Sequence, residues 1–110
     1  MIWNVYIKER PFNEIKNKTK LIEGRLNKGI FCEMKINDSI IFINKQNQIS
    51  VKIINILKFN SFEEMLTDLP FNNILPSINN FKEGLELYNS LYKKNKIKKY
   101  GVISLLIKSD

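Results

Sequence analysis

The chain has 110 residues, 44% of them hydrophobic and 11% aromatic, and its 18 basic and 11 acidic side chains give a formal charge of +7. That length and apolar content fit one domain over residues 1–110 with a sizeable core, and exclude a disordered chain. Histidine is absent and Cys32 is the single cysteine, which excludes a Ser-His-Asp triad, a Cys-His pair, a histidine metal site and an intramolecular disulfide.

Residues 2–8 alternate, with Trp3, Val5 and Ile7 on one face and Asn4, Tyr6 and Lys8 on the other, as in a half-buried strand. Pro11 is tolerated in a first helical turn, and Phe12 and Ile15 follow at helical spacing, so residues 11–17 are expected to be a short helix. Residues 21–26 read as a second strand and residues 31–36 as a third, with the Asn27-Lys28-Gly29 turn signal between them. Asn37 and Asp38 mark a tight turn, because Asn tolerates left-handed backbone. Residues 39–44 are apolar and β-branched, and the polar stretch 45–48 closes a hairpin onto a strand over residues 49–59.

At Ser61 the period changes. Ser61-Phe62-Glu63-Glu64 is a capping-box pattern that opens a helix to about residue 68, and residues 70–75 add a short turn of helix or loop. Asn80-Phe81-Lys82-Glu83 repeats the capping logic, after which Phe81, Leu85, Tyr88 and Tyr92 share a helical face. Lys93, Lys94 and Lys96 trail off that helix, where cations are mildly favoured. Residues 101–107 are continuously apolar and read as a last, central strand. The order predicts an α+β fold: a small β-barrel of five to six strands, with a short N-terminal helix and two to three helices inserted before the last strand.

The charge is unevenly spread. Residues 1–60 carry 11 basic and 5 acidic side chains, residues 61–92 carry 1 and 5, and residues 93–110 carry 6 and 1. Two basic flanks around an acidic insert suggest one positive surface, with nucleic acid as its natural partner. Codon bias competes with that reading, since 16 Lys, 18 Ile and 15 Asn are what an AT-rich genome gives, whether of a virus, a phage or a low-GC bacterium. No leader pattern or spanning apolar run is present, so a cytoplasmic, membrane-free chain is expected. With neither a Gly-rich phosphate loop nor metal-ligand spacing, no cofactor and no metal are expected.

Three ordered stretches resemble the ASCH domain family (activating signal cointegrator homology), itself similar to PUA RNA-binding domains. They are Pro11-Phe12-Asn13-Glu14-Ile15-Lys16 with Lys20-Leu21-Ile22-Glu23-Gly24-Arg25-Leu26, then Met34-Lys35-Ile36-Asn37-Asp38-Ser39-Ile40-Ile41-Phe42, then Ser61-Phe62-Glu63-Glu64-Met65-Leu66 followed by Leu75-Pro76, Tyr88, Tyr92 and Lys99-Tyr100-Gly101-Val102. The resemblance implies a PUA-like barrel. Lys18 stands where the family usually has glycine, Leu21 where threonine is frequent, and Ile30-Phe31-Cys32 occupies a region where the family often has a basic pair.

Lys20, Glu23 and Arg25 are the candidate site. Glu23 and Arg25 are two apart on a strand and share a face. Arginine offers a planar fork for phosphate or a base edge, Glu23 can accept from an exocyclic amine, and Lys20 supplies a point charge. The resemblance implies that this motif lines a cleft beneath the first helix. The competing interpretation is a Glu–Arg pair that only orders the strand.

Lys18, Lys98, Lys99 and Tyr100 are further candidates for RNA contact, the lysine tract 93–99 being alternatively a solvated helix end. Trp3 and Tyr6 are aromatic candidates for stacking, with Trp3 favoured as core. Cys32 is expected to be a small hydrophobe in a strand. RNA, a nucleotide or a nucleoside is therefore the expected partner. An alternative follows from the resemblance: one bacterial branch similar to ASCH domains cleaves the acetyl amide of N4-acetylcytidine with a lysine, a threonine and a glutamate. Lys20 matches the lysine, Glu23 occupies the threonine position, and the glutamate has no clean counterpart, although Glu63 and Glu64 lie in its region. A third possibility is a protein-interaction module docking through the acidic helices of residues 61–92.

Overall fold

The computed structural model describes residues 1–110. Strand β1 (Ile2–Tyr6) leads to helix α1 (Glu9–Lys16), strand β2 (Ile22–Leu26) and a single-turn 3-10 helix over Gly29–Glu33. Strands β3 (Ser39–Asn44) and β4 (Asn47–Phe59) form a hairpin, helices α2 (Phe62–Asp68), α3 (Phe71–Ile74), α4 (Phe81–Leu91) and α5 (Lys94–Tyr100) follow, and β5 (Val102–Ser109) closes the set. The five strands make one sheet in the order β1-β3-β4-β5-β2, curled into a half-barrel. Only the β1–β3 pair is parallel. The long strand β4 pairs with β3 through Lys52 and with β5 from Val51 onwards, with a bulge between Ile53 and Asn55 in the second pairing. An extra residue bends the strand locally, which is how one continuous chain serves both halves of a curled sheet.

Both faces of β5 are covered, which explains its apolar run, interrupted only by Ser104 between Val102 and Ile107. Ile103, Leu105 and Ile107 join Val5, Phe12, Ile15, Phe42, Val51 and Ile53 in one core, beneath α1. Val102 faces the other way and joins Ile22, Leu26, Phe62, Met65, Leu66, Ile74, Leu75 and Tyr88 in a second core, under the helices. Phe62 stacks on Tyr88 with centroids 4.3 Å apart and on Tyr92 at 5.2 Å, so α2 and α4 pack through their rings. The caps form as the sequence implies: Ser61 Oγ accepts from the Glu64 amide, and Asn80 Oδ1 from the Glu83 amide. The Glu64 carboxylate reaches back one residue further than a capping box requires, to the Asn60 amide.

Several expectations are corrected. Residues 31–36 do not form a third strand; the 3-10 helix over Gly29–Glu33 overlaps them, with Met34 buried in the first core and Phe31 packed against it. No strand pairs with the outer edge of β2, which stays open. Cys32 is accordingly exposed rather than a buried strand residue, and its thiol donates to the Gly29 carbonyl. Lys94 and Lys96 do not trail off a helix but begin one of their own, α5. Its stop signal is Gly101 at φ +73, where a Cβ would meet the Phe59 carbonyl at 3.1 Å. Helix α1 starts two residues ahead of Pro11, at Glu9. Four helices, one of them a single turn, precede the last strand. No helix is long and apolar enough to cross a membrane.

Candidate functional site

β1 and β2 are the two edges of the sheet, and the half-barrel does not close between them. A cleft of about 640 Å³ occupies that gap, walled by the end of β1 and the segment after it, by α1, by β2 and by α4. Its polar lining is Lys8, Arg10, Glu14, Lys20, Glu23 and Arg25, four cations against two carboxylates, with Tyr6, Tyr88 and Tyr92 as aromatic walls.

The strand period builds the floor. Glu23 lies opposite Leu105 and Arg25 opposite Ile103, so both charges share the face that elsewhere makes the first core. Gly24 faces the other way, opposite Ser104. A Cβ on Gly24 would stand 2.7 Å from Met65 Sδ and 3.3 Å from the Tyr88 hydroxyl, so glycine is what lets α2 and α4 approach β2. The backbone phase follows from two ladder-end bonds, Ile107 N–H to the Leu21 carbonyl and Asn27 N–H to the Gly101 carbonyl. In an antiparallel ladder this turns the amides and carbonyls of Glu23 and Arg25 towards β5, and those of Ile22 and Gly24 to the free edge. Gly24 therefore adds a backbone donor and acceptor to the rim of the cleft.

Lys20 is fixed by the end of α1. Lys18 turns the chain through the left-handed region at φ +63, after which the Thr19 amide, the Thr19 hydroxyl and the Lys20 amide all donate to the Glu14 carbonyl. The Lys20 side chain is 3% exposed, donates to the Ile74 carbonyl at 2.5 Å, and lies 3.8 Å from Glu23 Oε1. Burial lowers its pKa; the Glu23 and Glu14 carboxylates oppose that shift, and Arg25 and Arg10 reinforce it. Glu14 is held by the Ser77 hydroxyl, which donates to its Oε2.

Arg25 lies 3.7 Å from Glu23 Oε2, with its guanidinium 4.8 Å from the centre of the Phe31 ring. The guanidinium donates no hydrogen bond within the protein, so its five N–H groups remain available. Burial raises the pKa of both Tyr88 and Tyr92, which keeps the two phenols neutral. No group of three or more Cys, Asp or Glu side chains is placed to hold a metal ion.

The structure thus brings Lys20, Glu23 and Arg25 together and separates the other candidates from them. Lys18 is exposed and lies outside the cleft lining. Lys98 lines a different hollow, between α2, α4 and α5. Lys99 and Tyr100 cluster with Lys28 and Lys96 beyond the end of β2. Trp3 donates its indole N–H to Asp38 and packs against the first core, whereas Tyr6 lines the cleft. Lys8, Arg10, Glu14, Tyr88 and Tyr92 were not individually legible as site residues. Tyr88 and Tyr92 follow the helical period of core residues, and nothing in that period distinguishes a cleft wall from a core.

No curated protein matches the sequence. Among solved structures, the crystal structure of the hypothetical protein PH0355 is similar over 100% of both chains, with 34% identity and a TM-score of 0.92. The solution structure of PF0455 from Pyrococcus furiosus is 34% identical over 99% of this chain and 97% of that one, with a TM-score of 0.83. An ASCH protein from Zymomonas mobilis shares the fold at 8% identity and a TM-score of 0.69, over 96% of this chain and 66% of its own. The family model of the ASCH domain matches residues 5–108, nearly the entire half-barrel with its helices, and the chain belongs to the ASCH domain family.

Proposed function

We propose that this ASCH domain, acting as one unit over residues 1–110, binds RNA or a nucleotide-like ligand in the cleft between its two edge strands. The family is generally RNA-binding. The observation that carries the reading is Arg25: a guanidinium steadied on Phe31 and beside Glu23, yet with its donors unengaged. Such a fork suits a phosphate or the edge of a base. Lys8 and Arg10 add positive charge at the mouth. Glu23 and the free backbone edge of Gly24 supply acceptors and a donor for a base, and Tyr6 offers a ring for stacking. Fluorescence anisotropy with single-stranded RNA tests this. Affinity falls steeply with salt, and Arg25→Ala weakens it by about tenfold or more, the size of one lost charged hydrogen bond. Arg25→Lys does not restore it, because lysine lacks the fork. Binding indifferent to salt and to Arg25 would overturn the reading.

A second reading, hydrolysis of an amide on a modified nucleoside such as N4-acetylcytidine, is favoured by one observation. Lys20 is buried beside two carboxylates, and burial lowers its pKa, the direction that favours the amine as base or nucleophile. Incubation with N4-acetylcytidine, followed by chromatography for cytidine, decides it. Release that disappears in Lys20→Ala makes the protein an amidohydrolase, and no release leaves binding alone.

A further inference from the structure

We propose that Lys28, Lys96, Lys99 and Tyr100 form a second contact surface for single-stranded RNA, so that the preferred ligand is an oligonucleotide that runs beyond the cleft rather than a lone nucleotide. Three ammonium groups surround one aromatic ring: Lys28 Nζ is 5.0 Å from the Tyr100 centroid, Lys99 Nζ 5.2 Å and Lys96 Nζ 6.0 Å. The ion pairs of the protein involve Met1, Lys20 and Arg25 as cations, so none of these three lysines has a carboxylate partner. Gathering like charges around one ring is unfavourable, and cation–π attraction at an exposed site offsets that repulsion only in part. A polyanion would remove the conflict.

The surface is assembled from both basic flanks of the sequence. Lys28 sits in the turn after β2, and Lys96, Lys99 and Tyr100 fall at relative positions 0, 3 and 4 on α5, hence on one face. Lys94 and Lys98 lie apart, lining the hollow beside α2. A helix end serving only for solubility has no reason to divide its lysines in this way. Tyr100 is half-buried, with its ring available to an unpaired base once an ammonium swings to a phosphate; stacking of this kind is sequence-tolerant. Lys28 follows Arg25 by three residues, at most about 10 Å of chain, so a strand leaving the cleft along β2 reaches Tyr100 within a few nucleotides.

The direction of the strand rests on the cleft reading, but the surface is tested apart from it. Anisotropy is measured with oligouridine of about 12 nucleotides, and calorimetry with uridine monophosphate, on the wild type, the triple variant Lys28→Ala/Lys96→Ala/Lys99→Ala, Tyr100→Leu and Arg25→Ala. The triple variant weakens the oligonucleotide about tenfold or more and lowers its salt slope by about 2, the release expected for three single-strand phosphates. It leaves the mononucleotide unaffected, whereas Arg25→Ala weakens both. If Arg25→Ala changes neither while the triple variant still weakens the oligonucleotide, the cleft reading fails and this surface stands. Oligonucleotide affinity and salt slope unchanged in both the triple variant and Tyr100→Leu overturn the proposal, as does an equal loss on duplex RNA.

Discussion

Asp38 and Glu23 are comparably buried carboxylates, 9% and 6% exposed, and their surroundings differ in kind. Asp38 accepts from the Trp3 indole N–H at 2.9 Å, the Lys35 amide at 2.9 Å and the N-terminal ammonium at 3.1 Å. Both of its oxygens accept, and it ties the start of β1 to the turn before β3. Glu23 has cations at 3.7 and 3.8 Å, beyond hydrogen-bond length, and accepts no hydrogen bond from the protein. A buried carboxylate with both oxygens hydrogen-bonded to the chain is part of the scaffold. One flanked by cations but left unbonded, on the wall of an open cleft, has capacity for something else.

The largest expected effect breaks this comparison on the Glu23 side. Glu23→Ala costs about 3 kcal/mol in urea unfolding, because Lys20 then remains buried without its nearest carboxylate. Adding Lys20→Met recovers at least half of that loss by removing the buried amine left without its partner. A double variant no more stable than the single one would mean that Glu23 and Lys20 are not coupled. Next in size, Gly24→Ala costs about 1.5 kcal/mol by chemical denaturation, since the new methyl overlaps Met65 Sδ and Cε. Met65 is flexible, which keeps the cost in the lower part of the overpacking range. A neutral Gly24→Ala would show that the close approach of α2 to β2 is dispensable.

The smallest effect sharpens the Asp38 side. The Trp3 indole N–H, then the Lys35 amide, hold the Asp38 pKa at about 2, below its ordinary 3.8. A carboxylate whose pKa is depressed by folding contributes stability above the unfolded value, and loses it as pH falls through the folded one. Stability should therefore decline between about pH 4 and pH 2, and Asp38→Asn should flatten that decline. An undiminished slope in Asp38→Asn would place the acid sensitivity elsewhere.

Much of the architecture was legible because local rules and tertiary packing agreed. β1 and the β3–β4 hairpin follow from alternation and β-branching, the left-handed turn at Asn37 from its side chain, and the caps at Ser61 and Asn80 from their hydroxyl and amide. The Glu23–Arg25 face followed from the period of two. The stretch 31–36 was misread because a short stretch with Cys32, Met34 and Ile36 at a spacing of two resembles a strand whether or not it pairs with one. Helix α5 was hidden because its lysines resemble a solvated tail, although Tyr100-Gly101 carried its stop signal.

The sequence by itself determined which side chains of β2 point together, because the two-residue repeat of a strand is a property of the backbone. It also determined that charge is concentrated in two flanks. The tertiary structure alone decided that β1 and β2 remain unpaired edges with a cleft between them. It decided as well that Lys28 meets α5 around Tyr100 while Lys18 and Lys98 lie elsewhere. Strand order and helix placement depend on which apolar faces pack most completely, a competition among segments far apart in the chain, and no local pattern encodes its outcome.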